Sequence, residues 1–285
     1  MQIVDIHPHV IAADHARYPL APVGDKLSEW AARRPVTCEQ LLAAMDEAGV
    51  AQAVLVQAST AHGHDNRYTA DSAAAHPARL AWVGSLDALA PDAPDQLTYW
   101  VQERGMAGLR LFTAGSTMTE QAPWLGDPAS YPTWARAQEL NIPVCVQMRL
   151  AGVPRLRQLL DRFPAVRVIV DHFARPPLED GPPYAAAQPL FALAEYPQVY
   201  VKVSTVTHED AARGRSTPRA FLEQLVAAFG ADRIAWGSNF PASEGPLTAL
   251  VALAREWVAF LPAEDQQRIL GGTARALYPR LGEAA

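Results

Sequence analysis

Short apolar runs alternate with helical segments along the whole chain. The apolar runs lie at residues 3–10, 51–57, 80–86, 107–112, 142–148, 166–172, 199–204 and 234–238. Segments with a helical spacing of apolar residues lie between and after them, at 37–49, 66–76, 92–104, 132–140, 154–163, 188–196, 217–229 and 246–260. Continuous apolar strands separated by helices indicate a parallel sheet covered by helices. Eight such units in 285 residues predict an α/β protein with a single (β/α)8 TIM barrel.

The remaining segments fit one domain that spans residues 1–285. Residues 11–36 are polar, punctuated by prolines and without periodicity, so we interpret them as a loop inserted after the first strand. Loops of this length in compact domains are usually functional. Thr37 and Gln40 have the spacing of a capping box, and Gly49 ends the helix that they begin. Residues 263–278 predict two short C-terminal helices.

Composition narrows the class of partner. The net charge is -6 and Lys and Arg form no cluster, so the chain has no electrostatic footprint for nucleic acid or for an anionic membrane surface. No apolar run approaches the roughly 20 residues that span a bilayer. Cys38 and Cys145 lack a metal-ligand spacing and indicate a reducing compartment. We expect a cytoplasmic protein that acts on a small molecule, and a homo-oligomer is left open.

The first strand carries two histidines two residues apart. If residues 3–10 form one strand, alternation places Asp5, His7 and His9 on one face and the apolar side chains on the other. Catalytic groups of a (β/α)8 barrel lie at the carboxyl ends of its strands. We therefore expect the two histidines at the site, with Asp5 deeper in the barrel in a supporting or ion-pairing role.

Polar side chains also end most of the other predicted strands. They are Gln57, with His62, His64 and Asn66 beyond it; Arg110; Gln147 and Arg149; Asp171 and His172; Lys202 and Ser204, with His208 beyond them; and Ser238 and Asn239. Four of the eight histidines lie at or just past the ends of strands 1, 6 and 7. This concentration predicts a site at one end of the barrel.

Six motifs stand in this order along the chain: His7-Pro8-His9, Gly108-Leu109-Arg110, Val170-Asp171-His172, Val201-Lys202-Val203-Ser204, Trp236-Gly237-Ser238-Asn239-Phe240-Pro241 and Ala274-Arg275-Ala276-Leu277-Tyr278. Together they resemble the amidohydrolase superfamily, in its amidohydrolase-related branch. Residues 56–66 resemble most the 2-pyrone-4,6-dicarboxylate lactonases of that branch, which also contains sugar lactonases and some decarboxylases. The resemblance implies a hydrolase that opens a lactone or similar cyclic ester of a small carboxylated molecule.

The resemblance also implies roles for the histidines. His7, His9 and His172 either hold one divalent metal, zinc or manganese, or polarise the substrate carbonyl without a metal, and neutral imidazoles suit both tasks. At the end of strand 8 the family carries an aspartate that activates water, whereas this chain has Asn239. A carboxamide is not a general base near neutral pH. The base could be His172, His208 or Glu244, turnover could be impaired, or the activity could need no carboxylate there.

Other polar residues predict the substrate contacts. We expect Arg110 to bind a substrate carboxylate unless it meets an internal acid, and Arg149 is a second candidate. Further expected contacts are Gln57, His62, Asn66, Gln147, Lys202 and His208. Three purely structural alternatives stay open. Residues 62–66 could serve solely to cap a helix, Lys202 and Asp171 could form an interior ion pair, and His208 could be a solvated loop residue.

Two other activities and one other class of protein remain as alternatives. A metal-dependent amide hydrolase or a non-oxidative decarboxylase would use the same barrel end. Because Asn239 replaces the usual aspartate, the chain could also be a catalytically silent ligand-binding barrel.

Overall fold

In the computed structural model, which describes residues 2–24 and 26–281, eight parallel strands lie side by side in chain order. They are β1 Ile3–Asp5, β2 Val50–Val56, β3 Leu80–Ser85, β4 Gly108–Phe112, β5 Val144–Gln147, β6 Val168–Val170, β7 Val199–Val203 and β8 Ile234–Trp236. The first and last strands meet where the Ile6 N–H donates to the Trp236 carbonyl, at 3.3 Å. The sheet is thus a nearly closed barrel, and the predicted (β/α)8 fold is confirmed.

Helices follow the strands and cover the outside of the sheet. The α-helices are α1 Glu29–Arg33, α2 Cys38–Ala48, α3 Ser59–His62, α4 Arg67–Ala75, α5 Ala93–Gln102, α6 Tyr131–Glu139, α7 Val153–Arg162, α8 Gln188–Phe191, α9 Thr205–Ala211, α10 Pro218–Phe229, α11 Leu247–Val258, α12 Ala263–Gln267 and α13 Thr273–Leu277. The predicted capping box of α2 is formed by Thr37 and Gln40. Within residues 2–24 and 26–281, every helix is too short or too polar to span a bilayer.

The two C-terminal helices and the predicted helix at 188–196 differ in detail from the expectation. A π-helical turn, Arg268–Gly272, joins α12 to α13. The 188–196 segment is α-helical only through Phe191 and continues as the 3-10 turn Ala192–Glu195. These segments lack the sustained helical spacing that would hold one long helix against the sheet.

Strand residues alternate between two apolar layers. Outward residues such as Leu55, Val144 and Val201 pack against the helices. Leu277, Tyr278 and Leu281 close the barrel from below. The lower barrel is filled by the inward residues Val4, Ile6, Val54, Ala81, Val83, Cys145, Ile169 and Ala235. Arg110 and Lys202 are buried polar residues towards the carboxyl ends of β4 and β7, whereas Gln52, near the start of β2, donates to the Leu281 carbonyl.

The structure corrects the prediction of one polar face on a strand over residues 3–10. β1 ends at Asp5, the chain bends at Ile6, and both Val4 and Ile6 pack inside the barrel. The Asp5 carboxylate accepts the backbone N–H groups of His7, at 3.0 Å, and of Ser238, at 2.8 Å. Asp5 thus fixes the bend, and the two histidines reach the barrel mouth on irregular backbone.

The inserted loop, residues 11–36, lies across the barrel rim and contains the short helix α1. Near its start the Ile11 N–H donates to the Val36 carbonyl, and further along Ala21 and Val23 donate to the Ala61 and Ser59 carbonyls, each at 2.8 Å. The loop therefore forms part of the wall above the carboxyl end of β2.

Candidate active site

A cavity of about 250 Å³ opens at the carboxyl end of the barrel. Six residues predicted for the site line it: His9, Arg110, Gln147, Arg149, His172 and Asn239. His7 does not line the cavity; its ring is fully buried beside the rings of His9 and His172, with centroid distances of 4.9 and 4.7 Å. The three histidines that the sequence placed on two distant strands are thus one cluster.

Hydrogen bonds distinguish the three imidazoles. His9 Nδ1 lies 2.7 Å from the Val56 carbonyl, which can only accept, so Nδ1 carries the proton and Nε2 is an acceptor in the neutral ring. His172 Nδ1 lies 2.7 Å from Ser204 Oγ, and when this hydroxyl donates, His172 Nε2 carries an N–H. Neither nitrogen of His7 has a hydrogen-bond partner among residues 2–24 and 26–281.

Burial keeps all three rings neutral. It lowers the pKa of His9 to about 3, with a further contribution from the charge of Arg110. It lowers the pKa of His172 to about 3 as well, although the Asp171 carboxylate opposes the shift. The pKa of His7 is well below 6.5, because of burial and then the charge of Lys202. At neutral pH the cluster therefore offers lone pairs and N–H groups without charge.

A buried ion cluster lies next to the histidines. Asp171 is 2.8 Å from Lys202 Nζ, 3.1 Å from Arg110 Nε and 3.9 Å from His7 Nδ1. Burial alone would raise the pKa of Asp171, but Lys202 and Arg110 lower it below its usual value. Asp171 is thus an ion-pair partner, as the sequence suggested. Lys202 is fully buried, does not line the cavity and forms the interior ion pair that the sequence left open.

Arg110 meets an internal acid as well as the cavity. Besides Asp171, its guanidinium contacts the Gln147 amide oxygen. Arg175, whose role the sequence did not predict, also lines the cavity and forms a bidentate pair with Asp210, at 2.7 and 2.9 Å. Arg149 differs from both, because no described residue accepts a hydrogen bond or forms an ion pair with its guanidinium, although its backbone N–H donates to Gln121.

Asn239 lies at the mouth of the cavity in a left-handed backbone conformation, φ +59°. The side-chain amide of Asn239 donates to Ser243 Oγ at 3.1 Å, and the backbone carbonyl of Asn239 accepts the backbone N–H of Ser243 at 2.7 Å. The preceding Gly237 is required by contact, since a Cβ there would lie 2.5 Å from the Cβ of His7. The end of β8 is thus packed directly against the first histidine.

Three residues predicted as substrate contacts instead hold loops. Gln57 donates to the Gly63 and Asp65 carbonyls and accepts the Thr69 hydroxyl. Asn66 bridges both backbone groups of Ser85, at 2.9 Å each. His62 bonds the inserted loop through Pro19 and Ala12. None of the three lines the cavity, and the hydrogen bonds of each are made to neighbouring backbone or, for the Gln57 oxygen, to the Thr69 hydroxyl.

The outer candidates, His208 and Glu244, lie away from the cavity. His208 lies in α9, where its ring packs edge-to-face on Trp257 with a centroid distance of 5.1 Å, away from the cavity. Glu244 pairs with Arg34 and its side chain is 86% exposed. Neither is placed to act as the missing base. His9 and His172 are the histidines that line the cavity among the described residues.

Trp30 is a cavity residue that had no predicted role. It lies in α1 of the inserted loop, and its indole stacks on His9 with a centroid distance of 5.2 Å and an interplanar angle of 24°. Only the length of the loop signalled a function in sequence. Arg175 carried a weak signal, since it follows His172 by three residues at the same strand end.

Comparisons with known proteins agree with this geometry. The family model described as amidohydrolase matches residues 4–280. The chain belongs to the amidohydrolase family. An L-fucono-1,5-lactonase from Burkholderia ambifaria is 29% identical to this amidohydrolase over 257 residues, 86% of this chain and 84% of that protein.

Solved structures give the same fold. A protein named as a candidate 2-pyrone-4,6-dicarboxylic acid hydrolase from Pseudomonas putida is 25% identical with a TM-score of 0.77, and the match covers 98% of both chains. An amidohydrolase from Burkholderia multivorans that holds zinc is 22% identical with a TM-score of 0.75, covering 98% of this chain and 99% of that one. At this identity the second likeness shows the fold alone.

The histidine cluster of this amidohydrolase does not fit a resident divalent cation. His7 supplies unpartnered nitrogens, but within residues 2–24 and 26–281 no group of three or more His, Cys, Asp and Glu side chains is arranged to hold a metal ion. Asp171 is already paired twice, Asn239 brings no charge, and Lys202 and Arg110 repel a cation. The expected zinc or manganese stays a prediction for this chain.

Proposed function

We propose that this amidohydrolase opens a lactone, or a similar cyclic ester, of a small carboxylated molecule by attack of water on the ring carbonyl. The observation that carries the proposal is the pair of neutral imidazoles on the cavity wall. His9 presents a lone pair at Nε2, and His172 presents an N–H when Ser204 donates to its Nδ1. One ring is thus suited to take a proton and the other to donate a hydrogen bond.

The proposed reaction uses these two rings in turn. The Nε2–H of His172 polarises the lactone carbonyl, while His9 Nε2 takes a proton from the attacking water. The water oxygen bonds to the carbonyl carbon. When the tetrahedral intermediate collapses, the ring C–O bond breaks and the leaving alkoxide takes the proton back from His9, which gives the open hydroxy acid. Asn239 is placed to hydrogen-bond the water or the substrate.

Charge in the cavity supports a carboxylated substrate. Four cations stand at or behind its wall, Arg110, Arg149, Arg175 and Lys202, and the carboxyl groups near them are Asp171, Asp210 and the buried Asp5, whose pKa burial raises. The guanidinium of Arg149 has no described anionic partner, so it is the group we assign to a substrate carboxylate, in preference to Arg110. The whole chain is negative, at -6. The excess of positive charge is therefore local to the cavity.

The test is a hydrolysis assay with matched lactones, neutral and carboxylated. We expect His9→Ala and His172→Ala each to lower kcat/KM by about 100-fold or more, whereas the exposed His15→Ala leaves it unchanged. Arg149→Gln should lower kcat/KM for the carboxylated lactone by at least about 10-fold and leave kcat/KM for the neutral lactone unchanged. If His172→Ala leaves lactone hydrolysis untouched, the assignment fails.

The rival activities give different readouts in the same assay. Loss of activity on chelation together with amide cleavage would indicate a metal-dependent amide hydrolase, and release of CO2 would indicate a decarboxylase. Asn239 favours one further candidate, a ligand-binding barrel without turnover. Tight binding of carboxylated lactones with no hydrolysis by the wild type would support that candidate.

A further inference from the structure

A tryptophan from outside the barrel controls the orientation of His9. The indole of Trp30 lies nearly parallel to the His9 ring, at a centroid distance of 5.2 Å, and both line the cavity. His9 also contacts the His7 ring, with a centroid distance of 4.9 Å and an interplanar angle of 89°. The imidazole thus contacts two aromatic groups in different planes.

A hydrogen bond alone would leave the ring under-determined. The contact from His9 Nδ1 to the Val56 carbonyl fixes one nitrogen, but the ring can still tilt about this contact, because terminal sp³–sp² torsions such as χ2 of His have broad energy wells. The flat face of Trp30 removes that freedom. The hydrogen bond and the stack together define the direction of Nε2.

Trp30 can do this because its own helix is anchored at both ends. Before α1, Ser28 bonds the Thr60 hydroxyl at 2.8 Å. After it, Arg34 donates to the Pro241 and Ala242 carbonyls, at 3.3 and 3.0 Å, and pairs with Glu244. A helix of five residues is not stable alone. These contacts with the segments after β2 and β8 hold Trp30 in place.

We propose that Trp30 is a positioning residue that limits the tilt of the His9 ring and so keeps Nε2 directed at the cavity, and that the inserted loop exists in part to deliver it. The inference rests on the proposed function for its kinetic consequence, but not for its structural one. Misplacing a proton-accepting nitrogen by about 1 Å costs on the order of 100-fold in rate.

The structural test is NMR of the protein labelled with ¹⁵N-histidine, in which His9→Gln assigns the His9 ring signals. We expect the wild type and Trp30→Phe to show sharp His9 ring signals of the Nδ1–H tautomer, since a phenyl ring keeps the stack. In Trp30→Leu the tautomer set by the Val56 carbonyl should persist, but the ring signals should broaden because the ring samples several tilts. His9 ring signals as sharp in Trp30→Leu as in the wild type would overturn the proposal, whatever the enzyme's activity.

The kinetic test uses the best lactone substrate of the wild type. Trp30→Leu should lower kcat by about 10- to 100-fold with KM changed less than about threefold, and Trp30→Phe should restore most of kcat. The matched control is Trp100→Leu, which removes an aromatic contact with Trp82 on the outside of the barrel. An equal loss in both leucine variants, or a loss in KM alone, would contradict positioning. If the wild type hydrolyses no lactone, the proposed function fails and the NMR result still decides the inference.

Discussion

At the scale of single residues, our proposal assigns the proton transfer to a histidine because position 239 carries an amide. Asn239 lines the cavity, but its carboxamide is not basic enough to take a proton near neutral pH. Its hydrogen bond to Ser243 also limits how far the side chain can move. His9 has the free lone pair that a base requires, with its tautomer set by the Val56 carbonyl. The pKa of His9, about 3, makes it a weak base that is always available at neutral pH.

Restoring the carboxylate tests this view. In Asn239→Asp a negative charge appears beside neutral imidazoles, so we expect higher zinc affinity and a changed rate of lactone hydrolysis. Zinc content by elemental analysis and the rate with and without chelator measure both effects, with Asn239→Ala as the uncharged control. Unchanged zinc content and an unchanged rate would show that position 239 lies outside the reacting part of the cavity.

At the scale of elements, the site depends on ties between neighbouring strands. Asp171, directly after β6, joins Arg110 of β4 to Lys202 of β7 in a fully buried cluster. Arg34 similarly joins the inserted loop to the segment after β8. Buried ion pairs cost much to break because the remaining charge stays buried without its partner. The cluster therefore fixes the strand ends on which the histidines stand.

Removal of one cation should show this dependence in stability. Lys202→Met takes a fully buried charge from Asp171, and we expect the free energy of unfolding to fall by about 3 kcal/mol or more. The chain has a second lysine, Lys26, which is exposed, and Lys26→Met should change stability by less than about 0.5 kcal/mol. Urea unfolding measures both. Similar values for the two variants would mean that the cluster contributes little to folding.

At the scale of the whole molecule, burying three neutral imidazoles links stability to pH. In the folded chain the pKa values of His9 and His172 are about 3 and that of His7 is lowered too, whereas unfolded histidine titrates near pH 6.5. Below pH 6.5 the unfolded state therefore binds protons that the folded state does not. The stabilisation is complete above pH 6.5 and is lost as the pH falls towards 3.

The linkage predicts an early onset of acid unfolding. Between pH 7 and pH 5 the free energy of unfolding should fall, approaching about 1.4 kcal/mol per pH unit for each of the three histidines. Urea unfolding at pH 7, 6 and 5 measures the slope of the free energy of unfolding against pH. In His172→Gln this slope should be smaller by the contribution of one histidine, because one proton fewer is taken up on unfolding. A flat profile over this range would contradict the neutral state of the cluster.

The barrel and part of its site could be predicted because their signals are local. Eight apolar runs and their helices are read from neighbouring residues, and the motifs at strand ends named six of the side chains that line the cavity. The positions of Gln57, His62 and Asn66 could not be predicted, because a polar residue that follows a strand looks the same in sequence whether it faces a cavity or holds a loop. Most of their partners are backbone groups, which carry no sequence signature.

The sequence by itself determined the order of the strands and which polar residues end them, since both follow from periodicity along one segment. Only the tertiary structure decided what each of those residues meets. Arg110 is paired with Asp171, whereas Arg149 has no ion-pair partner among the residues that the structure describes; His9 carries its proton on Nδ1, and Trp30 comes from the inserted loop to stack on it. These facts depend on distances between segments far apart in the chain, which the packing of the barrel sets and local patterning does not record.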